Sequence, residues 1–338
     1  MQKSTLRPRL EPGLQLRIHE LMVKTRCLEE RMIKMNRDGE GYFWIGAPGE
    51  EAFGIPLGLQ VKKGQGPDFD YLHLHYRSSP LIMAMGGTML DSIRQMGMRA
   101  TDRYSAGRNF TNHYAIPEWN VVPMAPTIET QYLIAPGTAW VQKRHGGDGI
   151  TIVNGGDAGS AEGDFASCLI WSTRPGKELP VLIIVVNNKF GISTPYDTQH
   201  GERNIADRGI AHGMPTKVIN GNDVFESWAA IEEAMRYVRT ERRPFLLEAH
   251  VSRLNGHSSS SGANRIDEPD CIATFEKQLV DEGICSPGEI RVTWERFRDE
   301  ANACVKQQRT EPFPQASDIW NNAFHNDSDN AIAKAGGD

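Results

Sequence analysis

Residues 150–195 read ITIVNGGDAGSAEGDFASCLIWSTRPGKELPVLIIVVNNKFGISTP, and the fold follows from how this stretch is punctuated. Ile150 to Val153 is a short apolar strand. Helical spacing resumes at Ala161 and puts Phe165, Cys168, Leu169 and Ser172 on one face. Pro175-Gly176 ends that helix. Val181 to Val186 is then an unbroken apolar run, the pattern of a strand buried on both faces of a parallel sheet. Strand, helix and strand at this length make a βαβ crossover, so the chain is predicted to be an α/β protein with a doubly wound parallel sheet flanked by helices.

The turn inside the crossover carries the chemistry. Gly155-Gly156-Asp157-Ala158-Gly159 falls at the carboxyl end of the first strand, where small residues let backbone N–H groups and a helix end approach an anion. The dinucleotide fingerprint G-x-G-x-x-G does not occur at this turn, which weighs against a nicotinamide oxidoreductase. An acid stands there instead. A carboxylate aimed at a phosphate is repelled unless a cation lies between them, so Asp157 points to Mg²⁺ shared with a diphosphate and held by hard oxygen ligands. Asn187-Asn188 ends the second strand, where adjacent strand ends would set Asn188 beside Asp157, with the carbonyl of Phe190 as a further oxygen donor.

Outward from this unit, the chain has 338 residues, 39% of them apolar, and a net charge of -6, so a full core is available and neither nucleic acid nor an anionic membrane is an expected partner. No apolar run reaches the roughly 20 residues that span a bilayer, and Met1 to Glu11 lacks the apolar centre of a signal peptide. The five cysteines show no paired spacing and read as reduced thiols, so a cytoplasmic location is expected. Residues 1–12 read as a flexible arm, 13–325 as a single α/β domain with C-terminal helices, and 326–338 as a disordered tail.

Helices are predicted from Gly13 to Asn36, after the turn Pro48-Gly49 with Glu50 and Glu51, from Pro80 to Met98, and from Gln131 to about Arg144. Asp223 with Glu226, and Ser286-Pro287 with Glu289, start two more. Tyr71 to Arg77 alternates as a short strand, and Phe245 to Ala249 is another buried one. Arg103 to Tyr114 is a polar loop holding Arg108 and His113, of a length that suggests function. Gly256 to Gly262 (GHSSSSG) has no apolar anchor and reads as mobile. By itself, His257 in that loop is an exposed histidine.

Taken together, GGDAGSAEGD and LIIVVNN resemble the thiamine-diphosphate motif, which begins G-D-G and ends N-N. The resemblance extends from Leu14 to Phe324, to the alpha chain of the decarboxylating component of 2-oxoacid dehydrogenases. It is supported by HYR at 75–77, GRNFTNHY at 107–114, TQ at 130–131, NNKFGIST at 187–194, INGNDVF at 219–225 and GHS at 256–258. GEEAFG, HYRSSP and the GR…HY loop bring the branched-chain type nearer than the pyruvate type.

The resemblance implies a role for each matched residue. Tyr76 and Arg77 would reach the diphosphate; Asp157, Asn188 and the Phe190 carbonyl would bind Mg²⁺; Gly156, Ala158 and Gly159 would line the diphosphate turn. Ile128 would lie near the bent cofactor. His257 would be the active-site histidine, a role suited to a near-neutral pKa. His113 would be a second polar residue at the mouth of the site, or a loop-packing residue. Thr130 and Gln131 would hold a structural K⁺.

The activity implied is decarboxylation of a small-molecule 2-oxo acid, 2-oxoisovalerate-like, with acyl transfer to the lipoyl group of an acyltransferase component. Only one half of a thiamine-diphosphate site fits in this length, so a beta subunit is implied, in an α₂β₂ heterotetramer. A pyruvate or acetoin dehydrogenase alpha subunit and a catalytically silent paralogue are the alternatives. Two departures from the pattern bear on them. Ala158 replaces the motif glycine, a strain of roughly 1–2 kcal/mol if the position needs φ > 0. Val186 stands where branched-chain relatives have an arginine and pyruvate-type chains do not.

Overall fold

The computed structural model describes residues 10–321, so arm residues 1–9 and the tail assigned to 326–338 lie outside the described residues. α1 (Pro12–Arg37) opens on a proline, whose fixed φ and missing N–H suit a first turn, and it leaves at Gly39 with φ 75°. After α2 (Glu51–Gln60) the predicted strand 71–77 shortens to β1 (Tyr71–His73). Side chains take over its backbone: the His75 N–H donates to Asn154 Oδ1 at 3.1 Å and Ser78 Oγ at 3.2 Å instead of to a backbone carbonyl of the neighbouring strand.

The helix predicted from Pro80 to Met98 is two helices, α3 (Ser79–Ala84) and α4 (Met89–Met96). Gly86 at φ 109° breaks the run, and the Thr88 side chain restarts it by accepting the Asp91 N–H. The apolar period carries across this break, which is why it hides the interruption.

α5 (Thr130–His145) leads into the central crossover of β2 (Thr151–Gly156), α6 (Gly163–Ser172) and β3 (Val181–Asn187). A hairpin of β4 (Phe190–Gly191) and β5 (Thr194–Pro195) follows, then α7 (Asp207–Ala211), β6 (Thr216–Asn220), α8 (Val224–Glu241) and β7 (Phe245–His250). The chain closes with α9 (Cys271–Asp281) and α10 (Pro287–Gln308), the latter started by the Ser286–Glu289 capping box.

The five-stranded sheet has the order β1-β2-β3-β7-β6 and every pair is parallel. β3 shows why its sequence is apolar throughout. Val181, Ile183 and Val185 pack with Tyr132, Phe165 and Leu169 of α5 and α6. Leu182, Ile184 and Val186 join the opposite core, with α1, α2, α8 and α9. Val186 is thus a core residue here. Arg26 ties three helices on that second face, its buried guanidinium 2.6 Å from Glu51 and 2.8 Å from Asp270. The strand ends of β1, β2 and β3 converge at one edge, the usual ligand position in an open parallel sheet. Among the described residues no helix is long and apolar enough to cross a membrane.

Candidate active site

The register sets Gly156 opposite Val186, so the residues that follow, Asp157 and Asn187-Asn188, leave the sheet side by side. The two asparagines divide the work. Asn187 turns back into the protein, donating to Glu248 Oε1 at 2.7 Å. Asn188 turns to the site, its Oδ1 accepting the Phe190 N–H at 3.2 Å. Lys189 and Ile192, at φ 66° and 55°, fold the following segment into the β4–β5 hairpin. Arg253 steadies that hairpin by donating to the Ile192 carbonyl at 2.7 Å with its guanidinium 4.6 Å from the Phe190 ring centre.

An open cleft of about 270 Å³ lies over these strand ends. Tyr76, Arg77, Ile128, Gly156, Asp157, Ala158, Gly159, Phe190 and His257 all line it. Asn188 sits beneath, its backbone close enough to the Asp157 carboxylate to lower its pKa. His113 does not line the cleft; its Nδ1 is 3.0 Å from the Thr111 carbonyl and its carbonyl accepts from Gln95. Gln131 opens α5 and spends its amide N–H groups on Glu129 Oε2 and the Asn154 carbonyl.

Three features decide what the cleft can hold. Asp157 is buried, yet its Oδ2 has no hydrogen-bond partner; burial raises its pKa, partly offset by backbone N–H groups and Arg77. An orphaned buried carboxylate oxygen beside an asparagine and the Phe190 hairpin carbonyl is a hard-oxygen donor set, which fits Mg²⁺. Ala158 lies in a 3₁₀ turn outside the left-handed region, so the strain considered for its methyl does not arise. Arg77 brings the positive charge. Its Nη2 donates to His257 Nδ1 at 2.9 Å, its Nε is 3.6 Å from Glu50, and its guanidinium lies 5.0 Å from the Tyr76 ring centre.

That contact fixes the histidine. With Nδ1 accepting from Arg77, the ring proton sits on Nε2. Burial first, then Arg77 and Arg253, lowers the His257 pKa to about 4, which corrects the near-neutral value expected for it. The loop expected to be mobile is pinned. Ser258 bridges Ile45, the Ser259 N–H donates to the Trp44 carbonyl at 2.8 Å, and the Gly256 N–H to Asn264 at 2.9 Å.

Two acids of the site escaped the sequence reading as site residues. Glu50 and Glu129 are buried beside Arg77, and burial pushes each carboxyl up to about 8. Glu129 stands in PTIETQ, between Ile128 and Thr130-Gln131, all three singled out from sequence, and that flanking was the available signal.

The family model described as "Dehydrogenase E1 component" matches residues 19–317. The chain belongs to the dehydrogenase E1 component family. The 2-oxoisovalerate dehydrogenase subunit alpha of Bacillus subtilis (strain 168) is 30% identical to this E1 chain over 303 residues, covering 87% of this chain and 89% of the relative. The pyruvate dehydrogenase E1 component subunit alpha of Staphylococcus aureus (strain Mu50 / ATCC 700699) is 26% identical over 299 residues, 85% of this chain and 76% of the relative. The mitochondrial 2-oxoisovalerate dehydrogenase subunit alpha 2 of Arabidopsis thaliana is 29% identical over 250 residues, 74% of this chain and 51% of its own length. This E1 chain is thus of the 2-oxoacid dehydrogenase alpha type, in a family that depends on thiamine diphosphate.

Proposed function

We propose that this chain is the alpha subunit that holds the diphosphate end of thiamine diphosphate, through Mg²⁺, for oxidative decarboxylation of a branched-chain 2-oxo acid and acyl transfer to a lipoyl group. The buried, unpartnered Asp157 Oδ2 at the joined ends of β2 and β3 carries this reading. In it, Asp157, Asn188 and the Phe190 carbonyl hold the metal, and Tyr76, Arg77, Gly156, Ala158, Gly159 and His257 border the diphosphate. Ile128, half exposed at the cleft, packs on the cofactor. When bound, thiamine diphosphate supplies the electron sink for loss of CO₂. Arg77 offsets the negative charge that gathers in the cleft. His257, neutral with its proton on Nε2, donates a hydrogen bond to the substrate.

The remaining half of the site comes from a beta subunit in an α₂β₂ heterotetramer, with residues 13–325 acting as one cofactor-binding unit. A surface for that partner starts at the cleft. Leu133, Ile134, Trp140 and Val141 follow one another along the outer face of α5, and Ile170 and Trp171 expose their side chains on the adjoining α6. Contiguous exposed apolar side chains of this size mark an association surface. Val186, an aliphatic core residue where branched-chain relatives carry an arginine, favours a second reading with pyruvate or acetoin as substrate.

The test is co-expression with the beta chain, then assay of a panel of 2-oxo acids and acetoin with an artificial electron acceptor. Turnover that needs added Mg²⁺ and thiamine diphosphate and is highest with 2-oxoisovalerate-like acids is expected. No turnover with any substrate would make this a silent paralogue. In the same complex at saturating thiamine diphosphate, His257→Ala is expected to slow acyl transfer at least about 100-fold. Full transfer activity in that variant would remove the histidine from the mechanism.

A further inference from the structure

Glu129 has an unusual setting. It precedes α5 with φ 63°, a left-handed conformation that a residue with a side chain adopts only when its surroundings enforce it. Its carboxylate reaches into the turn between β2 and α6. Oε1 accepts the Gly156 N–H at 3.1 Å, and Oε2 accepts from Gln131 at 3.0 Å. A Cβ built on Gly155 would fall 2.0 Å from Oε2, and one on Gly159 would fall 1.9 Å from Oε1 and 2.1 Å from Cγ. One side chain therefore fills the hollow of the turn at three of its residues. Neither a shift of Glu129's own buried stem nor of the turn backbone is a cheap way out of such a clash.

We propose that Glu129 is a positioning residue that braces the diphosphate-binding turn from within, and that its carboxylate is the reason position 159 must be glycine. The inference rests on the cofactor reading given above. In its terms, the Gly156 N–H is directed by Glu129, so the neighbouring Asp157 and the N–H groups of Ala158 and Gly159 are presented to the ligand in one arrangement. The requirement is for an oxygen of this length at 129 that accepts the Gly156 N–H, which glutamine also supplies while giving up the contact of Oε2 with Gln131.

The experiment uses the full chain co-purified with its beta subunit, and measures binding of thiamine diphosphate, and of inorganic pyrophosphate, with Mg²⁺ by calorimetry. Glu129→Ala is expected to weaken both ligands about tenfold while Glu129→Gln stays within about twofold of wild type. Gly159→Ala is expected to lose more than about tenfold, and the double variant Glu129→Ala/Gly159→Ala to bind no worse than Glu129→Ala alone, the coupling expected of two groups competing for one space. If Gly159→Ala does not fold, recovery of folded protein in the double variant makes the same point. Additive losses in the double variant, or an unchanged dissociation constant in Glu129→Ala, overturn the brace. So does a Glu129→Ala protein whose cofactor-free melting temperature falls while its affinity holds, since that is a merely structural role. Failure of the wild-type complex to bind either ligand overturns the cofactor reading itself, and the brace with it.

Discussion

Asp157→Asn is expected to abolish Mg²⁺-dependent binding of thiamine diphosphate and, in the same protein without cofactor, to raise the melting temperature. The two effects have one cause. Asp157 Oδ2 is buried with no donor to meet it, and burial raises the carboxyl pKa above its ordinary value. A group whose pKa is raised on folding stabilises the fold when protonated, and that contribution is lost as pH rises through the raised pKa. Above that raised pKa the metal-free chain carries an ionised carboxylate in a place that favours the neutral form. Asparagine keeps the shape and drops the charge. The gain in melting temperature should therefore grow as pH rises through the raised pKa, measured by calorimetric scans in chelator across a pH series. With cofactor the balance reverses, and the loss of affinity should exceed about 100-fold, since even outer partners of a metal site carry 10–100-fold. Unchanged affinity, or a melting temperature that does not gain on wild type as pH rises, would contradict this account of the site.

Arg77→Ala is the other large effect. The guanidinium is the cation that Glu50, Asp157 and Glu129 all feel, and it also holds His257. Removing it strands carboxylates in a buried cleft, and breaking a buried pair in this way costs about 3–5 kcal/mol. Glu50 and Glu129 are pushed up to about 8, so both take up protons readily once Arg77 is gone. Denaturant melts should show the loss shrinking as pH falls from about 9 to about 7, roughly one unit on either side of those values. NMR titration of the His257 ring should show its pKa rising from about 4, though not to the full solution value, because burial is the larger cause of its depression. A pH-independent loss, or an unmoved histidine, would show that Arg77 is not the electrostatic centre of the cleft.

Much of this was legible in the sequence because it is local. The β2–α6–β3 crossover, the helix face of Phe165, Cys168, Leu169 and Ser172, and the capping box at Ser286 all appear where periodicity and capping residues put them. So does the convergence of Asp157 with Asn188, since parallel neighbours must end together. What escaped depends on contacts distant in sequence. The interruption between α3 and α4 is a glycine pair inside an apolar rhythm. The end of β1 is decided by Asn154 and Ser78, which take the His75 N–H from the ladder. Glu129 reads as a loop acid until its carboxylate is found under Gly155 and Gly159, and the low pKa of His257 comes from its burial first and then from Arg77 and Arg253 beside it. Spacing predicts which residues share a face, whereas the field at a point depends on the whole fold.

The outer face of α5 and α6 has a spectroscopic use. Trp140 and Trp171 are 55% and 52% exposed, while Trp44 is fully buried and Trp119, Trp228, Trp294 and Trp320 are half-buried, so the indoles of this face are the most water-facing of the seven. A subunit closing over that face would shift their emission to shorter wavelength without any change at Trp44. Assembly could then be titrated by intrinsic fluorescence at dilutions where no label is needed, and Trp140→Phe and Trp171→Phe would tell which helix the incoming subunit reaches first.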